Sequence, residues 1–301
     1  MDPKQAYEAV FEEVKKYIVG NEDTIKLIFI ALLANGHALL EGVPGVAKTA
    51  MTKAIAQTID ASFGRIQGMP DLEIKDIIGY AYLDESHNVA LKKGPIFNNM
   101  LLIDELNRAP PKTTTALLEA LEERQVTIGN STIQLDRPFM AIATQNPLNI
   151  EGTSSLPKVL ADRFLLRIEV TYPSMDQEEE MLRMKEKEEI KVNKILSKPD
   201  VIQMQEMLNS VSMSNEVEGY IARLVDATRS DIHVVMGASP RAEISFMKCA
   251  KAKALIEGRK EITMEDIKYL AKPVLSHRIV ARATGGIGVG GIISGLVATL
   301  S

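Results

Sequence analysis

Eight residues, Gly42-Val43-Pro44-Gly45-Val46-Ala47-Lys48-Thr49, restrict what this chain can fold into more than any other stretch. They follow a short apolar run, Ala38-Leu39-Leu40, and precede a segment of helical pattern from Ala50 to Ile59. That succession of strand, glycine loop and helix is what a phosphate-binding loop requires. Consecutive backbone N–H groups and the positive end of the helix dipole point at a polyphosphate there, and glycines let the main chain approach it. Gly42, Pro44, Gly45, Val46 and Ala47 then form the cradle, Lys48 reaches the β- and γ-phosphates, and the Thr49 hydroxyl is a ligand of Mg²⁺. Ala47 occupies the place of the pattern's last glycine, so its methyl group crowds the loop and predicts a somewhat lower nucleotide affinity.

A second signal lies downstream. Asn99-Met100-Leu101-Leu102-Ile103 reads as a buried strand ending in Asp104-Glu105. A carboxylate at the carboxyl end of a strand, beside the phosphate loop, can hold Mg²⁺ through water, and its neighbour can polarise an attacking water. Those parts are expected of Asp104 and Glu105 respectively. The apolar strand Phe139 to Ala143 ends in Thr144-Gln145-Asn146-Pro147, where Asn146 offers a neutral amide able to position water against a γ-phosphate without adding charge.

Around these signals the chain alternates strands and helices up to Val170. Helical periodicity runs from Asp2 to Tyr17 and from Thr24 to Ala34, broken at Val19-Gly20-Asn21. Val19 and Gly20, in that turn just upstream of the loop, either line the adenine or form a plain interhelical turn. Phe63 to Gln67 and Leu165 to Val170 are further strands. Gly68-Met69-Pro70-Asp71 is a turn and Gly79 to Ala90 a polar hairpin or loop, and the solvent face of this long excursion is a candidate for substrate contact. Lys112 to Glu123 is a helix opened by Pro110-Pro111, and Val126 to Leu135 is a hairpin around Gly129-Asn130. From Met175 onward the pattern is helical to Leu270. The expected architecture is a parallel α/β unit, residues 1–172, followed by a smaller all-helical unit, residues 173–301.

The length of 301 residues and 46% hydrophobic content suit one large domain or two unequal ones and exclude wholesale disorder. A net charge of −5 argues against a surface built to neutralise a nucleic-acid backbone. One cysteine, Cys249, allows no intrachain disulfide, and no signal peptide is evident, so an intracellular, cytoplasmic protein is expected. The four histidines, His37, His87, His233 and His277, lack metal-site spacing and read as structural or surface residues. From Ala283 to Ser301 the chain is uncharged and holds six glycines. Its length falls in the range of a membrane span, but that glycine density argues against a stable helix and favours packing on the helical unit or a neighbour, or disorder.

With these blocks in view the chain resembles the MoxR-type AAA+ ATPases over roughly residues 5 to 278. The resemblance is carried by Gly36 to Thr49, Gly94-Pro95-Ile96-Phe97, Leu101 to Pro110, Leu117 to Ile128, Ala143 to Pro147, Leu156 to Phe164 and Gly237 to Ala242. It implies a three-layer P-loop AAA+ core with a parallel sheet and a helical lid. By the same likeness Lys48 and Thr49 belong to Walker A, Asp104 and Glu105 to Walker B, and Asn146 to sensor 1. Arg163 falls at the arginine finger and Arg241 at sensor 2 of the lid. The excursion after Gln67 corresponds to the family's helix-2 insert and the Val126–Leu135 hairpin to its pre-sensor insertion. Lys158, Ala161, Gly68 and Glu73 depart from the residues more usual there.

The implied activity is hydrolysis of Mg-ATP by a homo-oligomer, a hexameric ring, in which each finger completes the next subunit's site. Its expected work is remodelling or maturing a protein substrate, with a von Willebrand factor A-type partner. The motor subunit of a metal-chelatase-like complex is an alternative, and a nucleic-acid motor is disfavoured by the net charge.

Overall fold

The computed structural model describes the whole chain except Pro44, residues 147–154, 186–190 and 283–285, and Ser301. The N-terminal helix α1 (Pro3–Lys15) starts where Asp2 accepts hydrogen bonds from the backbone N–H groups of Lys4 and Gln5, both at 3.1 Å, with proline in the first turn. Helix α2 (Glu22–Leu33) begins after Gly20 and Asn21, whose φ values of 70° and 58° are left-handed and turn the chain sharply.

Five parallel strands then form the central sheet: β1 (Ala38–Glu41), β2 (Phe63–Gln67), β5 (Met100–Asp104), β8 (Met140–Gln145) and β9 (Leu166–Glu169). Their order across the sheet is β2-β5-β8-β1-β9. Side chains alternate between two buried clusters: Leu40, Met100, Leu102 and Ile142 face one side, and Leu39, Leu101, Ile103 and Ala141 face the other. Burial on both faces explains why these strands read as continuous apolar runs. Helix α3 (Lys48–Thr58) packs on the first face through Met51 and Ile55, and α5 (Pro111–Glu123) on the second through Leu117 and Leu121. The three-layer parallel α/β core is therefore as expected.

Of the two forms open to the excursion after β2, the structure has the hairpin. Helix α4 (Ile74–Ile78) leads into an antiparallel hairpin of β3 (Gly79–Leu83) and β4 (Val89–Lys93), anchored by buried Leu72 and Ile77. The Thr113 hydroxyl of α5 donates to the Leu72 carbonyl at 2.7 Å, fixing the base of this insert to that helix. The hairpin of β6 (Gln125–Ile128) and β7 (Ser131–Gln134) turns at Gly129, φ 60°, as the Gly-Asn pair predicted.

The short α6 (Lys158–Ala161) precedes β9. After β9 come α7 (Met175–Lys185), α8 (Lys198–Met207), α9 (Asn215–Ser230), α10 (Arg241–Ile256) and α11 (Met264–Leu275). The unit is helical as expected, with one short addition: β10 (Val234–Met236) and β11 (Val280–Ala281) pair antiparallel within it. The tail packs on the helical unit, one of the arrangements expected, but the doubt about a helix is corrected: Val289–Leu300 forms helix α12 in spite of its glycines. Ile292 and Ile293 are buried in the same cluster as residues of α9 and α11, and this tertiary contact outweighs the low helix propensity of glycine. Among the described residues no helix is long and apolar enough to cross a membrane. The first cluster runs without a break from the sheet through α1 and α2 into α10 and α11.

Candidate functional site

The loop between β1 and α3 owes its shape to a few residues. A Cβ on Gly42 would lie 2.4 Å from the Val170 carbonyl, so the strand-to-loop exit accepts only glycine. Gly45 has φ 89° and open space around the Cβ position. Ala47 has φ 57°, the left-handed conformation that the usual glycine adopts freely and alanine adopts at a cost of about 1–2 kcal/mol. The expectation of simple crowding by its methyl group thus becomes one of backbone strain. Pro44 lies outside the described residues. Lys48, the first residue of α3, is buried, and its Nζ donates to the Gly42 carbonyl at 2.5 Å and lies 3.5 Å from Asn146 Oδ1. Burial lowers its pKa, against the opposing pull of Asp104, Glu105 and Glu41.

At the carboxyl end of β5 the acidic pair meets this loop. The Thr49 hydroxyl is 3.2 and 3.1 Å from the two Asp104 carboxylate oxygens. Thr144, on β8, donates to Asp104 Oδ1 at 3.2 Å and accepts from the Glu105 N–H at 2.9 Å, seating both residues. Glu105 itself has φ 52°, a left-handed conformation rare for its type and found at functional sites. Its carboxylate accepts from Asn146 Nδ2 at 3.2 Å, Gln67 Nε2 at 3.3 Å and Arg108 Nη1 at 2.8 Å. Asn146 thereby spans Lys48 and Glu105. A hydroxyl and a carboxylate are the hard oxygen donors that Mg²⁺ takes, so Thr49 and Asp104 fit that ion.

Three contributors were not foreseen in the sequence. Arg65 and Gln67 on β2 reach Asp104 and Glu105, and Arg108 follows the acidic pair. Gln67 is in register with Asp104, so the strand order, once known, brings the end of β2 to the site.

On the loop's other side, Gln177 of α7 lies 2.8 Å from where a Cβ on Gly20 would be. Met181 and Leu182 of the same helix, with Tyr172 and Pro173, face Gly45 and Val46 across a cavity of about 400 Å³. Helix α7 therefore connects the Val19-Gly20 turn to the phosphate loop, and its apolar contributors were also missed.

Arg163 and Arg241 are not part of this constellation. Arg163 precedes β9, whose Leu166 is in register with Ala38 at the amino end of β1, and the Leu165 N–H bonds the His37 carbonyl at 2.9 Å. The loop leaves the opposite end of β1, so the two sites are separated by about 15–20 Å of strand rise. Arg241, at the start of α10, lies beside Arg163. Arg163 Nη2 is 2.5 Å from one oxygen of Glu122, and Arg241 bonds the other oxygen. The finger and lid arginines are brought together with each other, at the far end of the sheet from the loop of their own chain.

Comparison with known proteins bears on the family and the fold. Residues 37–166 match the family described as "ATPase family associated with various cellular activities (AAA)", and residues 226–287 match the AAA lid domain. The chain is 42% identical over 272 residues to the uncharacterised protein YeaC of Bacillus subtilis, spanning 89% of this chain and 85% of that one. It is 39% identical over 282 residues to Chaperone MoxR1 of Mycobacterium tuberculosis, spanning 90% and 74% respectively. The crystal structure of a protein assigned as an ATPase from Cytophaga hutchinsonii superposes with a TM-score of 0.91 at 40% identity, covering 98% of this chain and 94% of that one.

Proposed function

This chain belongs to the MoxR-type AAA+ ATPases, and on that premise we propose that it hydrolyses Mg-ATP in a ring of its own copies to remodel a protein client. Residues 1–172 are the nucleotide-binding core of this reading and residues 173–301 its lid. The observation that carries it is the division of the site between opposite ends of one sheet: Lys48, Thr49, Asp104 and Glu105 at one end, Arg163 and Arg241 at the other. A protomer of this form holds a complete phosphate cradle and a complete pair of guanidiniums that cannot meet within the same chain.

In the proposed mechanism Lys48 and the Gly42–Ala47 backbone bind the phosphates. The adenine lies between Val19, Gly20 and α7. Thr49 and Asp104 would hold Mg²⁺, which offsets the negative charge on the β- and γ-phosphates. The Glu105 carboxylate takes the proton of the attacking water, and Asn146 orients both through its contacts with Lys48 and Glu105. Arg163 and Arg241 of a neighbouring copy stabilise the charge that develops on the γ-phosphoryl oxygens.

A chaperone-like role is supported by the likeness to Chaperone MoxR1. The expected partner is a client protein or a von Willebrand factor A-type protein. The test is capture: the Glu105→Gln protein, loaded with ATP and Mg²⁺, should retain a defined protein from its own cell extract and release it when ADP replaces ATP. Retention of the same proteins with ADP, or of none, would contradict the client reading.

A further inference from the structure

Glu122 has no role assigned above, yet its carboxylate is the meeting point of the two arginines. It lies in the last turn of α5, and its two oxygens bond Arg163 Nη2 and Arg241 Nη2 one each. The other acidic group nearby is already engaged: Asp162 Oδ1 is 2.9 Å from Arg278 Nε, and Oδ2 accepts from the Ser239 hydroxyl at 2.9 Å, leaving Arg241 at 3.9 Å. Two guanidiniums therefore share one carboxylate, and the buried Arg163 Nε has no hydrogen-bond partner among the described residues. They border a cavity of about 340 Å³ that Lys248 and Arg278 also line, so positive charge exceeds negative around it. Such a geometry is short of one anion.

We propose that Glu122 is a built-in surrogate for the phosphoryl group: its carboxylate holds Arg163 and Arg241 side by side in the free protomer and yields them to the γ-phosphate of the neighbouring copy on assembly. This deepens, and rests on, the reading that these arginines act across a subunit boundary. A carboxylate and a phosphoryl group present similar oxygen pairs to a guanidinium, and the phosphoryl group carries more charge. Exchange is feasible because Glu122 and Arg241 are both more than 40% exposed, and ion pairs in contact with water hold weakly. Keeping the arginines aligned also limits the side-chain freedom lost when the neighbour docks.

Glu122 is thus a positioning residue and a competitor of the ligand at once, and removing its charge without its shape separates the two states. Self-association of the full chain is followed by sedimentation with ATPγS and Mg²⁺, with ADP, and without nucleotide, for the wild type, Glu122→Gln, Arg163→Ala and the double variant. Glu122→Gln should lower the protein concentration for half-assembly with ATPγS about three- to tenfold, as expected for loss of two weak competing pairs. It should leave the ADP and nucleotide-free values unchanged and have no effect in the Arg163→Ala background. A general change in helix α5 would move all three nucleotide conditions together. An unchanged or higher half-assembly concentration for Glu122→Gln, with Arg163→Ala still defective, overturns the surrogate role and leaves the cross-subunit reading standing. Wild-type assembly and turnover by Arg163→Ala removes both.

Discussion

The guanidinium of Arg65, near the end of β2, lies 2.7 Å from the carboxylate of Asp104 on β5 and donates to the same oxygen through Nε at 2.9 Å. A cation is therefore fixed on the carboxylate expected to hold Mg²⁺, and the two positive charges oppose each other. Half of the Arg65 side chain is exposed, so water screens much of the effect. Arg65→Gln should lower the Mg²⁺ concentration for half-maximal ATP binding by about three- to tenfold. A titration with a fluorescent ATP analogue checks this. A higher Mg²⁺ requirement would mean that Arg65 supports the metal site instead of opposing it.

Glu105 has the strained backbone and the Asn146 contact of a residue held for chemistry, and its amide counterpart keeps the shape. Glu105→Gln should bind ATP within about twofold of wild type and hydrolyse it on the order of 10²–10⁴-fold more slowly. Phosphate release together with equilibrium binding measures both. Turnover at the wild-type rate would take Glu105 out of the mechanism.

Because Ala47 is left-handed, its replacement by glycine should help the fold. Ala47→Gly is expected to raise stability by about 0.5–1 kcal/mol, after allowing for the greater freedom of glycine in the unfolded chain, and to leave nucleotide affinity equal or tighter. Denaturant unfolding reads the first and calorimetry the second. A fall in stability would show that the loop depends on the methyl group.

Loss of the finger should be curable by company. Arg163→Ala should fold normally and lose roughly 10³-fold in rate. Mixing it with Glu105→Gln protein should restore part of the activity, since some interfaces then combine an intact Glu105 with an intact Arg163. Absence of recovery at every mixing ratio would argue for action within one chain.

His37 and His277 set the acid limit of the fold. Both are buried, and burial, reinforced by the charge of Arg124 and Arg278 respectively, holds their pKa values well below the ordinary 6.5. The unfolded chain binds these protons more readily, so stability is intact above about pH 6.5 and falls as the pH drops below it, by about 1.4 kcal/mol per unit for each ring. Carboxylates held low act later. Burial opposes ionisation of Glu257 and Asp266, but hydrogen bonds from Arg259 and Lys253 outweigh it and hold both at about 2, so their contribution fades only below the usual carboxylate range. Between pH 6.5 and 5 the thermal midpoint should fall, and less steeply in His277→Gln. A flat or rising midpoint would contradict the assignment of neutral buried rings.

What the sequence revealed depended on how local the cause was. The loop, the acidic strand end and the order of strands and helices rest on short-range patterns, and each was legible. Arg65 and Gln67 were not, because their importance comes from strand order, which sets the end of β2 beside Asp104. Helix α12 was misjudged because its glycines argue against it locally, while Ile292 and Ile293 earn it a place against α9 and α11. Arg163 and Arg241 were identified by position in a motif, but only the register of β9 on β1 shows that they share an end of the sheet away from Lys48.

Helix α5 holds the base of the β3–β4 insert at its first turn, through Thr113 and the Leu72 carbonyl, and the arginine-binding Glu122 at its last. Thirteen residues of helix span about 20 Å. A force on the insert would thus reach, along one helix, the carboxylate that holds the guanidiniums, so the two ends of the sheet are tied by a single rod of chain.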